Sequence, residues 1–245
     1  TYTPELINGF ILKFPTFPLT ELVLMDIDEQ RLEVVGEFAK RIVAAKGNKF
    51  RVTLSMDQRE AIKNAQYIIT QLRVGMMDAR CKDEYLGYRY GLVGQDTTGI
   101  GGMAKALRTI PALLRLVDDI RSVAPGSLLV NFTNPAGLIT EAVSRYAPDI
   151  LAVGVCNVPI TTQMQMANIL EHRIGKKIVR ESSHIDTLGL NHLSWHRGFN
   201  VDGEEMWSHV IAGILTNLRS QTKPDWDPEL IETLGMLPNY YLQYY

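Results

Sequence analysis

The chain has 245 residues, 46 % of them hydrophobic and 21 % charged, with a formal net charge of −2. That is the mix of an ordinary globular protein with ample core, and it excludes a bulk electrostatic pull toward nucleic acid or an anionic membrane. Two cysteines, Cys81 and Cys156, exclude a disulfide framework, so a cytoplasmic location is expected.

No run of about 18 apolar residues marks a membrane span. In chain order, "TPELINGFIL" (3–12) predicts a helix, with Thr3 as its cap, Pro4 in the first turn, and Leu6, Ile7, Phe10 and Ile11 at helical spacing. "ELVLMDID" (21–28) is a short apolar run ending in two aspartates, which predicts a buried strand. "EQRLEVVGEFAKRIVAAKG" (29–47) is an amphipathic helix closed by Gly47. "KFRVTLSMD" (49–57) alternates as a strand, "QREAIKNA" is a short helix and "QYIITQL" (66–72) a second buried strand. "TTGIGGMAKALRTIPALLRLVDDIRSVAP" (97–125) is Gly-rich and then helical, "GSLLVNFTNP" (126–135) a strand that stops at Asn-Pro, "AGLITEAVSRYAP" a helix and "DILAVGVCNVP" a strand. This alternation is the signature of an α/β fold built on a doubly wound parallel sheet.

Past about residue 175 the pattern changes. "SSHIDTLGLNHLSWHRGFNVDGEE" (182–205) alternates around a Val-Asp-Gly turn and predicts antiparallel hairpins, and "MWSHVIAGILTNLRS" (206–220) a helix. The tail "LPNYYLQYY" crowds four tyrosines. A boundary near residue 160 divides a nucleotide-type domain, 1–160, from an α+β region, 161–245.

Several residues stand where chemistry could occur. Asp26 ends the first strand, where an acid in a dinucleotide fold hydrogen-bonds the ribose hydroxyls; a solvated strand end or a helix cap explains it equally. "TTGIGG" (97–102) could offer backbone N–H groups to an anion, although a flexible entry into a helix accounts for it better. In "NFTNPAG", Asn131, Thr133 and Asn134 converge at a strand's carboxyl end, the crevice where open α/β sheets bind ligands; turn chemistry is the competing explanation. Cys156 and Asn157 repeat that placement one strand on. A cysteine there is usually a small buried hydrophobe, but with His192 in "GLNHLSW" it could ligate a divalent ion whose other positions are open. Arg80 in "MMDARCKDE" is a fork-shaped donor for phosphate or carboxylate, or an ordinary surface ion pair.

Taken together and in order, "TYTPELI", "TQLRVGMMDAR", "GLVGQDTTGIGGMAKALRTIP", "NFTNPAG", "GVCNVPI", "GLNHLSW" and "PNYYLQYY" strongly resemble glycoside hydrolase family 4. Within it the likeness is greatest to members that cleave 6-phospho-β-glucosides. The resemblance implies a Rossmann-like sheet of the lactate/malate dehydrogenase type, NAD bound in 1–160 and an α+β substrate and metal region in 161–245. It implies hydrolysis of a small-molecule sugar phosphate by oxidation, elimination, addition and reduction with bound NAD and a divalent metal, typically Mn2+; this family stands outside the two-carboxylate glycosidase scheme. It assigns Cys156 and His192 to the metal and Tyr241 to the base at C2. Asn157 falls where α-specific members tend to carry Asp as an acid. Arg80 and Asn134 are assigned to the 6-phosphate and sugar and Asp26 to the ribose of NAD; Asn131 and Thr133, in the crevice at their own strand's end, are expected to contact NAD as well. A homodimer or homotetramer is implied, as are a first strand and Gly-rich turn before Thr1 and a further part with another phosphate-binding Arg after Tyr245. The competing readings are an α-specific or unphosphorylated-sugar member of the family, a malate- or lactate-type dehydrogenase, and a non-catalytic remnant.

Overall fold

The computed structural model describes residues 2–190 and 192–244. The chain divides into two compact units, Thr1–Val155 and Cys156–Tyr245.

Unit 1 runs α1 (Thr3–Leu12), β1 (Glu21–Met25), α2 (Glu29–Ala45), β2 (Arg51–Ser55), α3 (Gln58–Ile62), β3 (Tyr67–Thr70), α4 (Met76–Tyr88), α5 (Gly99–Val123), β4 (Leu128–Asn131), α6 (Ala136–Tyr146) and β5 (Ala152–Gly154). Its strands are parallel in two ladders, β1 with β2 and β3–β4–β5. Parallel ladders with helices between successive strands are those of a doubly wound α/β sheet. Asp28 caps α2 by accepting from the Arg31 amide, and Asp57 caps α3 by accepting from those of Arg59 and Glu60. Helix α1 begins at Thr3 itself, with Tyr2 at the cap, one residue earlier than expected.

Two apolar clusters hold unit 1. Ile68 and Leu129 of the β3–β4 ladder pack with Leu113, Leu116, Val117 and Ile120 of α5 and Ile139 and Val143 of α6. Ile7, Ala39, Val43 and Phe50 form the second. The glycines that open α5 serve packing. A Cβ on Gly101 would collide with the Gln95 and Asp83 carbonyls, and one on Gly102 with the Thr97 carbonyl. The close approach of α4, the 93–98 loop and α5 therefore requires them.

Unit 2 runs α7 (Val158–Ile174), β6 (Ser183–Leu190), β7 (Leu193–Val201), β8 (Glu204–Glu205), α8 (Trp207–Ser220), α9 (Pro228–Leu234) and β9 (Leu237–Pro238), then a 3₁₀ turn, Tyr240–Tyr244. β7 pairs antiparallel with β6, β8 and β9. Asp202 and Gly203 turn the β7–β8 hairpin with φ of 53° and 86°, the positive pair that a type I′ turn needs. Phe199 and Val201 of β7 bury against Met166 and Leu170 of α7, Val210 and Ile214 of α8 and Ile231 of α9. Among the described residues, no helix is long and apolar enough to cross a membrane.

Candidate active site

In unit 1 the polar candidates stand at the carboxyl ends of the parallel strands. Asp26 directly follows β1, and its carboxylate is gripped by Arg31, from Nε at 2.7 Å and Nη2 at 2.5 Å. That fork holds the Asp26 carboxyl below its usual range. The acid is therefore ionised and oriented, as an acceptor for hydroxyls must be.

Asn131 ends β4 and is buried with Thr133. Its Oδ1 accepts from Thr70 Oγ1 at 2.9 Å and from the Thr133 amide at 3.1 Å, and its Nδ2 donates to the Thr133 carbonyl at 3.2 Å. Thr133 Oγ1 accepts from the Leu72 amide at 2.8 Å. Both side chains thus lace the end of β4 to the segment leaving β3. Asn134, next in the chain, is exposed.

Arg80 lies on α4, half-buried, with Nε donating to Glu84 one turn on at 2.7 Å. Nearby is a network that short-range sequence signals did not reveal. Lys105 of α5 is buried and donates to Asp96 at 2.7 Å, Arg73 donates to Asp96 at 3.2 Å, and Arg108 is paired with Asp83. Burial alone would raise Asp96, but its bonds from Lys105 and Arg73 outweigh it and hold the carboxyl low; burial pulls Lys105 down. The network ties α4, the loop before α5 and α5 together around Arg80.

Unit 2 contains the other four candidates. Cys156 and Asn157 are exposed, following β5 in the chain and opening α7, with Asn157 at the cap position. His192 sits where β6 meets β7; the register closes at Leu190↔Leu193. The neighbouring Asn191 lies outside the described residues. The His192 imidazole is buried and stacks on the Tyr241 ring, centroids 3.7 Å apart and planes 4° apart. Tyr240, the neighbour in sequence, meets Tyr241 edge-on at 6.1 Å, so the structure brings Tyr241 to the histidine's face. Among the described residues no three His, Cys, Asp or Glu side chains cluster as a complete metal site.

Burial pushes His192 and His196 below the ordinary 6.5. His192 therefore presents a neutral imidazole at neutral pH, the form that ligates metals. For folding the sign is fixed. The unfolded chain takes up these protons first as pH falls, so the stability is complete above about pH 6.5 and is lost as pH falls through the folded values. His196, whose Nδ1 lies 2.9 Å from Thr187 Oγ1, gives the cleaner test. The denaturant midpoint should fall as pH drops below 6.5, and His196→Gln should flatten that slope; an identical slope in the variant would remove His196 from the account.

Sequence reasoning did not single out Asn239, Ser194 or Arg31. Asn239 and Ser194 act through each other, 45 residues apart, and Arg31 acts through Asp26, a pairing that no motif marks.

The model of the "Family 4 glycosyl hydrolase" matches residues 1–172, and that of the "Family 4 glycosyl hydrolase C-terminal domain" matches residues 187–245. A probable 6-phospho-beta-glucosidase of Bacillus subtilis (strain 168) is 38 % identical over 252 residues, covering 100 % of this chain and 56 % of that protein. The solved 6-phospho-beta glucosidase of Thermotoga maritima, with manganese, NAD+ and glucose-6-phosphate, superposes with a TM-score of 0.87 at 34 % identity, over 100 % of this chain and 56 % of that one. Lactate dehydrogenase of Eimeria maxima shares the fold at a TM-score of 0.58 and 14 % identity, over 97 % of this chain and 68 % of that one. The chain spans little more than half the length of the family members it matches. Strand order, the residues at the strand ends and these likenesses agree: the chain belongs to glycosyl hydrolase family 4.

Proposed function

We propose that the protein cleaves 6-phospho-β-glucosides in the cytoplasm with NAD and a divalent metal. The observation that carries the reading is the His192–Tyr241 stack, which puts a phenol beside a neutral imidazole in a family whose relatives are named for this activity. Unit 1 would be the NAD-binding part and unit 2 the start of the substrate and metal part.

The donor set leaves room for the oxygen ligands that Mn2+ prefers. Cys156 offers an exposed thiol and His192 an uncharged ring nitrogen, and two protein donors leave positions for substrate oxygens. When bound, NAD would supply reversible oxidation of the sugar and the metal Lewis-acid polarisation of its oxygens, which together make the C2 proton acidic. The chain's own groups do the rest. Tyr241 removes and returns the C2 proton from a ring whose plane is fixed by the stack. Asn157, exposed at the head of α7, offers a donor and an acceptor to the sugar without a carboxylate. The absence of an acid there favours β- over α-linked substrates. Asp26, ionised by Arg31, accepts from the ribose hydroxyls of NAD. Asn131 and Thr133 keep the end of β4 in place, and Asn134 reaches the sugar.

Arg80 holds the 6-phosphate as a charged donor. Arg80→Ala should raise KM on the order of 10-fold or more for the phosphorylated substrate and leave KM for its unphosphorylated analogue unchanged, as a lost charge-assisted bond requires. Equal effects on both substrates would remove the phosphate role.

Nitrophenol release from a nitrophenyl 6-phospho-β-glucoside tests the whole reading, using the full polypeptide that carries this sequence. Release that needs both NAD and Mn2+ and leaves no net NADH supports it. Release that survives dialysis with a chelator and removal of NAD overturns it. Metal-dependent release only from an α-linked or unphosphorylated sugar would keep the chemistry and change the substrate, and net NADH would favour a dehydrogenase.

A further inference from the structure

We propose that Asn239, clamped to Ser194, is the positioning residue that holds Tyr241 flat against His192; the inference rests on the reading of Tyr241 as the base.

The stack itself needs an explanation. Aromatic rings left to themselves prefer offset or edge-to-face contacts at about 4.5–7 Å, because their negative faces repel. Here the rings lie 3.7 Å apart and 4° from parallel. Some other contact must hold them there. The β7–β9 ladder brings the two segments together through Trp195↔Pro238 and His196↔Leu237, but it ends at Pro238, three residues short of Tyr241.

Asn239 extends that registry. Its amide donates to the Ser194 carbonyl at 2.9 Å, and its Nδ2 donates to Ser194 Oγ at 3.1 Å. Its Oδ1 accepts from the Tyr241 amide at 3.1 Å, an Asx-type turn, and its carbonyl accepts from the Leu242 amide at 2.9 Å. Ser194 is two residues past His192, and Asn239 two residues before Tyr241. One buried asparagine therefore sets both ends of the stack by the same count. Asn239 is 5 % exposed and Ser194 4 %. Buried amides are retained only when satisfied, and this one uses both ends of its side chain on the two segments that carry the stacked rings.

The test has two independent readouts, made on the full polypeptide that carries this sequence. The first is the His192 ring-proton resonance in protein without substrate, NAD or metal. Tyr241's ring current shifts it upfield, and a Tyr241→Leu variant identifies the shift. The second is the rate at which the C2 proton of the sugar exchanges with solvent. Asn239→Ala should move the His192 resonance downfield toward its position in Tyr241→Leu. It should also slow C2 exchange on the order of 10–100-fold, the usual loss when the support behind an active-site ligand is removed, with KM unchanged. Asn239→Asp keeps an acceptor for the Tyr241 amide and one for the Ser194 hydroxyl, and should restore most of both readouts. An unmoved His192 resonance and unchanged exchange in Asn239→Ala would overturn the proposal. If that variant does not fold, Ser194→Ala removes one bond of the clamp, and the same two outcomes decide. Wild-type protein without Tyr241-dependent exchange would instead defeat the reading of Tyr241 as the base, and the His192 resonance would still decide what holds the stack.

Discussion

Tyr241→Phe is expected to slow exchange of the sugar's C2 proton with solvent by about 10²–10⁴-fold, the range over which a positioned general base acts. Phenylalanine keeps the ring that lies on His192, so the stack and the metal-ligand side of the site survive and only the phenol is lost. The loss should therefore appear in kcat and in C2 exchange, with metal affinity unchanged. Deuterium uptake at C2, followed by NMR in D2O, measures it directly. An unchanged exchange rate would move the base to another group. Tyr240 is the nearest candidate in sequence, yet it meets Tyr241 edge-on, and it is 62 % exposed.

Cys156→Ser carries the second large effect. A serine hydroxyl stays protonated at neutral pH and is a weak neutral donor, whereas a thiol gives up its proton on binding a divalent ion and ligates as the thiolate. Cys156 is exposed, so the exchange leaves packing untouched and the folded stability should not change. Removing a group that merely supports a metal ligand already costs about 10–100-fold in metal affinity or activity, and losing one of the two proposed protein donors should cost at least that. Mn2+ titration followed by its EPR signal gives the affinity, and activity against Mn2+ concentration gives the consequence. Unaltered affinity, or full activity without added metal, would remove Cys156 from the metal site.

Much of unit 1 was legible because its strands are short apolar runs and its helices have caps and stripes. The runs expected at 21–28, 49–57 and 66–72 contain β1, β2 and β3, each shorter because the flanking residues leave the ladder. The Val-Asp-Gly turn was readable because type I′ geometry demands such residues. Helix α4 was not read as a helix: "MMDARCKDEYLGY" mixes charges around the whole surface and presents no apolar stripe.

The site was legible unevenly. Asn131 and Thr133 were visible as polar residues converging at a strand end, but the partner that occupies Asn131, Thr70, is 61 residues away. His192 and Tyr241 have no spacing that could mark them as neighbours. Their pairing depends on β9 folding back onto β7, a long-range contact between a two-residue strand and the hairpin. Local propensity is silent on such a contact. The roles proposed for Cys156, His192 and Tyr241 rest on likeness to the family; the structure brings the His192 and Tyr241 rings together.

The central claim is that the glycosidic bond leaves only after the C2 proton does. Hydrolysis of a nitrophenyl 6-phospho-β-glucoside in D2O, with the product examined by NMR, tests it most directly. The account predicts glucose 6-phosphate carrying deuterium at C2 and no net NADH. A product with its original C2 proton, formed at the full rate, would contradict it.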